Sequence, residues 1–220
     1  MNIARLKSEP EIFYSLQGEG ARCGSPAVFL RLAGCNLHCS WCDTRYSWLP
    51  GCELEEAEVA TRLQAFGCPA VVITGGEPLL QAEALERLLA LLPPDFYIEV
   101  ETNGTLPPTP ALTARVNQWN VSPKLAHAGN APSKALRPEV LTAFVDTQKA
   151  WFKFVVRSEE DWPAIEALEL PQQRIILMPC AANRRELEAA RPIVAQMCLE
   201  HRVRLGERLH VVLWDTAKGV

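Results

Sequence analysis

Six apolar runs, each ending in a cluster of polar or glycine residues, constrain this chain more than any other feature. They lie at residues 27–33, 70–74, 96–101, 118–121, 151–156 and 174–178. Runs this short suit strands; the first is nearly all apolar, as expected for a strand buried on both faces, and 96–101 alternates. Between them, apolar spacing and cap signals predict helices at 54–66, 81–92, 138–145, 158–167 and 183–201. Leu54, Ala57, Ala60 and Leu63 recur at helical spacing, Ser158 precedes three acids, and Asn183 stands at the capping-box distance from Glu186. Residues 132–137 read as a loop. Strands alternating with helices imply a parallel array with right-handed crossovers. In parallel α/β barrels the chemistry sits at the carboxyl ends of the strands. The expectation is therefore an α/β fold, a partial six-stranded (βα)6 barrel open on one side. One domain would span 1–220, with an N-terminal strand-loop extension at 1–26, a barrel core at 27–205 and a C-terminal segment at 206–220.

The first polar cluster holds Cys35, Cys39 and Cys42 in a C-x3-C-x2-C spacing directly after the run at 27–33. A strand ending in such a loop gathers three thiolates around one point, the ligand set of an iron–sulfur cluster. Three cysteines leave one iron of a cubane open to a substrate or cofactor. A closed zinc site wants a fourth ligand, and His38, the one nearby candidate, sits awkwardly beside Cys39. The second cluster is Ile73-Thr74-Gly75-Gly76-Glu77-Pro78. Its glycines let backbone approach a ligand, and a carbonyl or carboxylate there can accept bonds from an ammonium.

Other positions keep two readings. Gln17-Gly18-Glu19-Gly20 is either a hairpin turn with an exposed acid or a loop that hydrogen-bonds a flat polar ligand. Arg31 interrupts an apolar run and requires an anionic partner, read as a ligand carboxylate. Asp43 and Thr44 form either an Asx turn or a place for a hard cation such as Mg²⁺. Cys23, Cys52, Cys68, Cys180 and Cys198 lack ligand spacing and read as buried small hydrophobes.

A net charge of −4 without any basic tract argues against nucleic acid as a direct partner. The apolar runs are too short to span a bilayer, and the first residues lack the core of a signal peptide. The expectation is no membrane partner and a cytoplasmic protein with reduced thiols.

The cysteine spacing, Trp41 before the last cysteine and the Gly-Gly-Glu turn together resemble the radical S-adenosylmethionine (SAM) superfamily. Nearly the whole chain is similar to the 7-carboxy-7-deazaguanine synthases. The marks are Leu16-Gln17-Gly18-Glu19-Gly20, the stretch 31–35, Cys42-Asp43-Thr44, 74–78, 101–105 and Ser122-Pro123-Lys124. That resemblance implies a 4Fe–4S cluster on Cys35, Cys39 and Cys42 whose open iron chelates SAM. Reductive cleavage then yields methionine and a 5′-deoxyadenosyl radical. The radical takes hydrogen from C6 of 6-carboxy-5,6,7,8-tetrahydropterin, which contracts its ring and loses ammonia.

The resemblance assigns SAM to Trp41, Cys42, Asp43, Gly76, Ser122, Pro123 and Lys124, and to Met178, Pro179, Cys180 and Ala181. It assigns Mg²⁺ to Thr44. It gives the pterin to Leu16, Gln17, Gly18, Arg31 and Thr74, with Arg31 on the carboxylate. Met178 replaces a glutamine common in relatives and keeps only backbone contacts. Lys153 reads equally as an anion partner or an interior salt bridge, and the tail with His210 reads as packing. A homodimer, with an apolar C-terminal strand as its interface, and an external donor of flavodoxin or ferredoxin type are also implied. Two rivals stand beside this reading. One is a radical SAM activase acting on a glycyl residue of a partner protein, which needs an open peptide groove. The other is a zinc or electron-transfer module without catalysis.

Overall fold

The polypeptide begins with four short strands, β1 (Asn2–Ile3), β2 (Arg5–Leu6), β3 (Glu9–Pro10) and β4 (Ile12–Leu16), in a computed structural model that describes residues 1–220. Then come β5 (Pro26–Leu32), β6 (Cys52–Glu53), β7 (Ala70–Gly75), β8 (Tyr97–Thr102), β9 (Gln118–Val121), β10 (Ala150–Val156), β11 (Ile175–Pro179) and β12 (Arg204–Leu205). β5, β7, β8, β9, β10, β11 and β12 lie side by side in chain order, every neighbouring pair parallel. β4 and β1 pair antiparallel with β5, and β6 pairs antiparallel with β1, so the sheet is mixed. The path runs from β12 to β6 and closes no barrel. All six runs expected as strands are strands, within two residues at their ends.

The crossovers carry α1 (Glu56–Gln64), α2 (Ala82–Leu91), α3 (Pro110–Arg115), α4 (Pro132–Ala135), α5 (Pro138–Asp146), α6 (Trp162–Glu166) and α7 (Arg184–His201), followed by α8 (Leu209–Trp214). Strand alternation sorts the sheet into two unlike faces. Val28, Leu30, Val71, Ile73, Trp119 and Phe154 point to one face and join Leu63, Leu88, Phe144, Ile165 and Val194 of the helices in a core of 35 buried residues. The opposite face carries Arg31 beside Thr74 and Glu101 beside Asn120 in register, with Lys153 further along. The first run is buried on both faces as expected, because Ala27 and Phe29 pack with Ala70 and Val72 on this second side. Beyond that apolar patch the second face is polar yet covered, with Glu99, Gln118, Asn120 and Lys153 all buried.

Several local expectations also change. Residues 132–137 are not all loop, because Pro132 starts the single turn of α4. The segment 158–167 breaks into a 3-10 turn at Glu159–Asp161 and α6, and Ser158 makes no capping bond. Asp161 instead accepts from the Arg157 N–H at 2.7 Å. Asn183 does cap α7, accepting from Glu186 N at 3.0 Å, while the Glu186 carboxylate reaches Ala182 N, one residue beyond the capping-box position. The tail forms a helix, α8, rather than a strand, and Val211 packs it against Ala181 and Leu187. Among the unassigned cysteines only Cys198 is buried, and Cys23 is exposed. No helix is long and apolar enough to cross a membrane.

Candidate active site

The loop after β5 brings Cys35, Cys39 and Cys42 to the wall of one cavity of about 490 Å³. His38 stacks edge-on against Trp48, so the three thiols stand without the fourth ligand that a closed zinc site wants. The donor set fits a cubane better. Burial raises the thiols of Cys35 and Cys39, and at Cys39 the Lys124 ammonium and a hydrogen bond from Asn130 work against that rise. The loop is pinned at several points. Asn36 is held between Thr105 and Asn103, at 2.7 and 2.8 Å, and Ser40 N donates to Ala128 O at 2.9 Å.

Gly75 and Gly76 pass directly beneath this loop. A methyl on Gly76 would overlap the Gly34 carbonyl and lie 2.9 Å from Cys35 Cβ, and Gly75 has φ of +143°. Of the two kinds of acceptor this turn offers, carbonyl and carboxylate, the Glu77 carboxylate is engaged within the protein. It is fully buried and accepts from Leu79 N at 3.0 Å, Thr102 Oγ1 at 2.8 Å and Asn103 N at 2.7 Å. Its carboxylate braces the turn, which leaves the glycine backbone as the ligand-facing part. Burial pushes the Glu77 carboxyl up despite those three bonds.

The polar sheet face forms the floor. Thr74 Oγ1 donates to Glu101 at 2.7 Å, and Gln17 Nε2 donates to Glu99 at 2.5 Å and to Glu101 at 3.1 Å. Gln17 Oε1 accepts from Glu19 N at 3.2 Å, and its backbone N–H and C=O bond Ser25 and Gly24. Gln17 lines the cavity but its polar groups are engaged by the protein. Arg31 Nε donates to Glu11 at 3.0 Å, and Tyr46 donates to the same oxygen at 3.0 Å. The anion that Arg31 requires is therefore supplied within the chain, while its Nη groups keep no protein acceptor and face the cavity wall.

Asp43 makes no Asx turn, because Arg208 takes its carboxylate. Thr44 Oγ1 stays 3.7 Å from Cys42 Sγ with no stronger partner, while the Thr44 carbonyl accepts from Ser47. Lys124 Nζ donates to Ser122 O and Oγ at 2.7 and 2.8 Å and lies 5.5 Å from the Trp41 ring centroid. Burial lowers the Lys124 pKa.

Leu16, Gly18, Gly76, Met178, Cys180 and Ala181 also line this cavity; Pro123 and Pro179 do not. Cys180 N and Ala181 O are engaged, by Val156 O and Arg208, so fewer backbone contacts remain at 178–181 than expected. Sequence reasoning missed Arg208. Its buried guanidinium bonds Glu19, Asp43 and the Ala181 carbonyl at once. Glu19 also takes the Lys153 ammonium, so the salt-bridge reading of Lys153 holds. Burial alone would raise the Glu19 carboxyl, but Lys153, Arg208 and His210 outweigh it and hold it far below the usual carboxylate range. His210 comes close enough to Gly18 that a methyl there would collide with the imidazole. The tail thus enters the cavity wall, which no periodicity could signal.

Residues 30–124 match the radical SAM superfamily. The chain is 41% identical over 218 residues to the 7-carboxy-7-deazaguanine synthase of Pyrobaculum aerophilum, covering 95% of each chain. It is 36% identical to the enzyme of the same name from Halobacterium salinarum, covering 94% of this chain and 90% of that one. The crystal structure of QueE from Escherichia coli superposes with a TM-score of 0.63 at 26% identity, over 95% of this chain and 94% of that chain. Together with three cysteines and a double-glycine turn on one cavity, this similarity along almost the entire length shows that the chain belongs to the 7-carboxy-7-deazaguanine synthase family of radical SAM enzymes.

Proposed function

We propose that this protein converts 6-carboxy-5,6,7,8-tetrahydropterin to 7-carboxy-7-deazaguanine with loss of ammonia, using SAM, a 4Fe–4S cluster and Mg²⁺. The observation that carries the reading is the 41% identity to a 7-carboxy-7-deazaguanine synthase across 95% of both chains. Bound at Cys35, Cys39 and Cys42, the cluster supplies the electron that cleaves SAM. Gly76, Trp41, Cys42 and Asp43 line the SAM position, with Ser122, Lys124 and residues 178–181 opposite; Pro123 and Pro179 act by shaping their turns. The unpaired Nη groups of Arg31 suit the pterin carboxylate, and a bidentate pair there adds both energy and orientation. Leu16, Gly18 and Thr74 border the ring, and Gln17 acts by holding that loop against Glu99 and Glu101. Thr44 Oγ1, free of strong protein bonds, would offer Mg²⁺ one hard ligand, leaving the rest of its shell to substrate oxygens and waters.

The open run of parallel strands in chain order supports a partial (βα)6 barrel, with 1–26 and 206–220 as flanking segments of a single domain. A homodimer is supported by exposed Tyr14 and Val220, which line one shallow depression at β4, whose only strand partner is β5. The donor is of flavodoxin or ferredoxin type, and the setting is cytoplasmic. The charge-lined cavity, with Arg31, Lys124, Lys153 and Arg208 on its walls, suits a small anionic ligand better than the peptide of an activase.

Anaerobically reconstituted enzyme with SAM, a reductant and the pterin should release 7-carboxy-7-deazaguanine; absence of product would refute the assignment. In the same assay Thr44→Ala should lose most of the Mg²⁺ stimulation while keeping the metal-free rate. Unaltered stimulation would remove Thr44 from the metal site.

A further inference from the structure

Asn130 grips the cysteine loop from a different part of the chain. It follows Gly129, whose φ of +80° ends a 3-10 turn at Ala126–Ala128 and directs the next residue back over the loop. Asn130 Oδ1 accepts from His38 N at 2.9 Å, and Asn130 Nδ2 donates to Cys39 Sγ at 3.2 Å. The first bond fixes which end of the amide faces the sulfur, because only the oxygen can accept from a backbone N–H. The other two sulfurs are served differently. Cys35 Sγ receives the local Leu37 N–H at 3.5 Å, and Cys42 Sγ has Thr44 Oγ1 at 3.7 Å. Asn130 is thus the one side-chain N–H aimed at any of the three thiols. It is not the sole anchor of the loop, since Ser40 binds Ala128 O and His127 O independently.

We propose that Asn130 is a positioning residue that raises the reduction potential of the cluster by donating its amide hydrogen to the Cys39 sulfur. This rests on the cluster reading above. One electron enters from the external flavodoxin- or ferredoxin-type donor, and the reduced cluster carries one more negative charge than the oxidised one. That charge is spread partly over the ligating sulfurs, so an N–H···S bond strengthens on reduction, and hydrogen bonds to sulfur are among the levers that set cluster potentials. Half-burial of Asn130 reduces the solvent screening that would weaken the effect.

The test is an EPR-monitored redox titration of the reconstituted wild type, Asn130→Asp and Asn130→Ala, each with iron and sulfide counted. Asn130→Asp keeps an oxygen for His38 N and removes the donor to sulfur. Asn130→Ala removes the donor without adding charge. Both variants should hold wild-type iron and sulfide and titrate at a lower potential than the wild type. Wild-type potentials at full cluster content would overturn the proposal and leave the cluster reading intact. A lower potential in the aspartate variant alone, with a fully loaded alanine variant unchanged, would assign the effect to charge and also overturn it. If the alanine variant fails to load, serine replaces it as the neutral comparison. Failure of every variant to load would make Asn130 an assembly residue and overturn tuning. A wild type without a three-cysteine cluster would refute the cluster reading itself.

Discussion

Glu99 accepts N–H bonds from Gln17 and Asn120 through one carboxylate oxygen, and its other oxygen is buried without a partner. Burial, and then the nearby Glu101 charge, raises its carboxyl to about 7. The native state therefore keeps a proton that the unfolded chain has already released, between the ordinary value of 4.5 and about 7. Stability contributed by this proton is present in full below 4.5, falls as pH rises through that window and is flat above it. Glu99→Gln should remove that decline, measured as denaturant unfolding between pH 5 and 8. A decline of undiminished slope would mean that Glu99 is ionised in the fold. In the sequence Glu99 was only one alternating position of a strand. Alternation separates the two faces, but says nothing about Gln17 covering the polar one.

The turn after β7 shows how an element can be legible in outline while its contacts are not. Its two glycines were read as letting backbone approach a ligand, and in the fold Gly76 is crowded by Gly34 and Cys35. A carbonyl or a carboxylate was read as the acceptor for an ammonium, and the carboxylate of Glu77 is engaged by Leu79, Thr102 and Asn103 on the same and the next strand loop. An amide at this position must turn its NH₂ toward one of those donors. Glu77→Gln should therefore cost about 1–3 kcal/mol, the usual penalty for a buried donor left unpaired. Equilibrium denaturation measures this, and an unchanged midpoint would show that the brace carries no weight. α3 was overlooked although Thr109-Pro110 spells a helix start, with Thr109 accepting from Leu112 N at 3.2 Å. A helix of six residues gives too short a period to detect.

For the whole molecule, Arg208 ties the N-terminal loop, the cysteine loop and the end of β11 to the C-terminal segment. Arg208→Ala leaves the largely buried Glu19 charge with one partner fewer, beside the loss of the more exposed Asp43 pair, and should cost about 3–5 kcal/mol, read as a fall in melting temperature. A loss within the range of exposed ion pairs, about 0–1 kcal/mol, would count against the linchpin role. The depressed Glu19 carboxyl makes a separate statement about pH. Its stabilisation is present above the ordinary value of 4.5 and disappears as pH falls below it toward the lower folded value. Glu19→Gln should flatten the acid limb of the stability curve, and a limb of wild-type steepness would assign acid unfolding to other groups.

What the sequence determined alone were the features that depend on near neighbours. These are the six strands, most of the helices, the three-cysteine loop and the glycine turn, because periodicity and ligand spacing are local properties of the chain. The parallel order followed from them through the crossover rule. Tertiary structure decided which polar groups are engaged and which stay free. Arg31 found its anion in Glu11, Gln17 and Glu77 turned inward as braces, and Arg208 arrived from the far end of the chain to join Glu19 and Asp43. Those outcomes turn on desolvation and hydrogen-bond satisfaction between distant segments, and these acquire values only when the chain has closed around them.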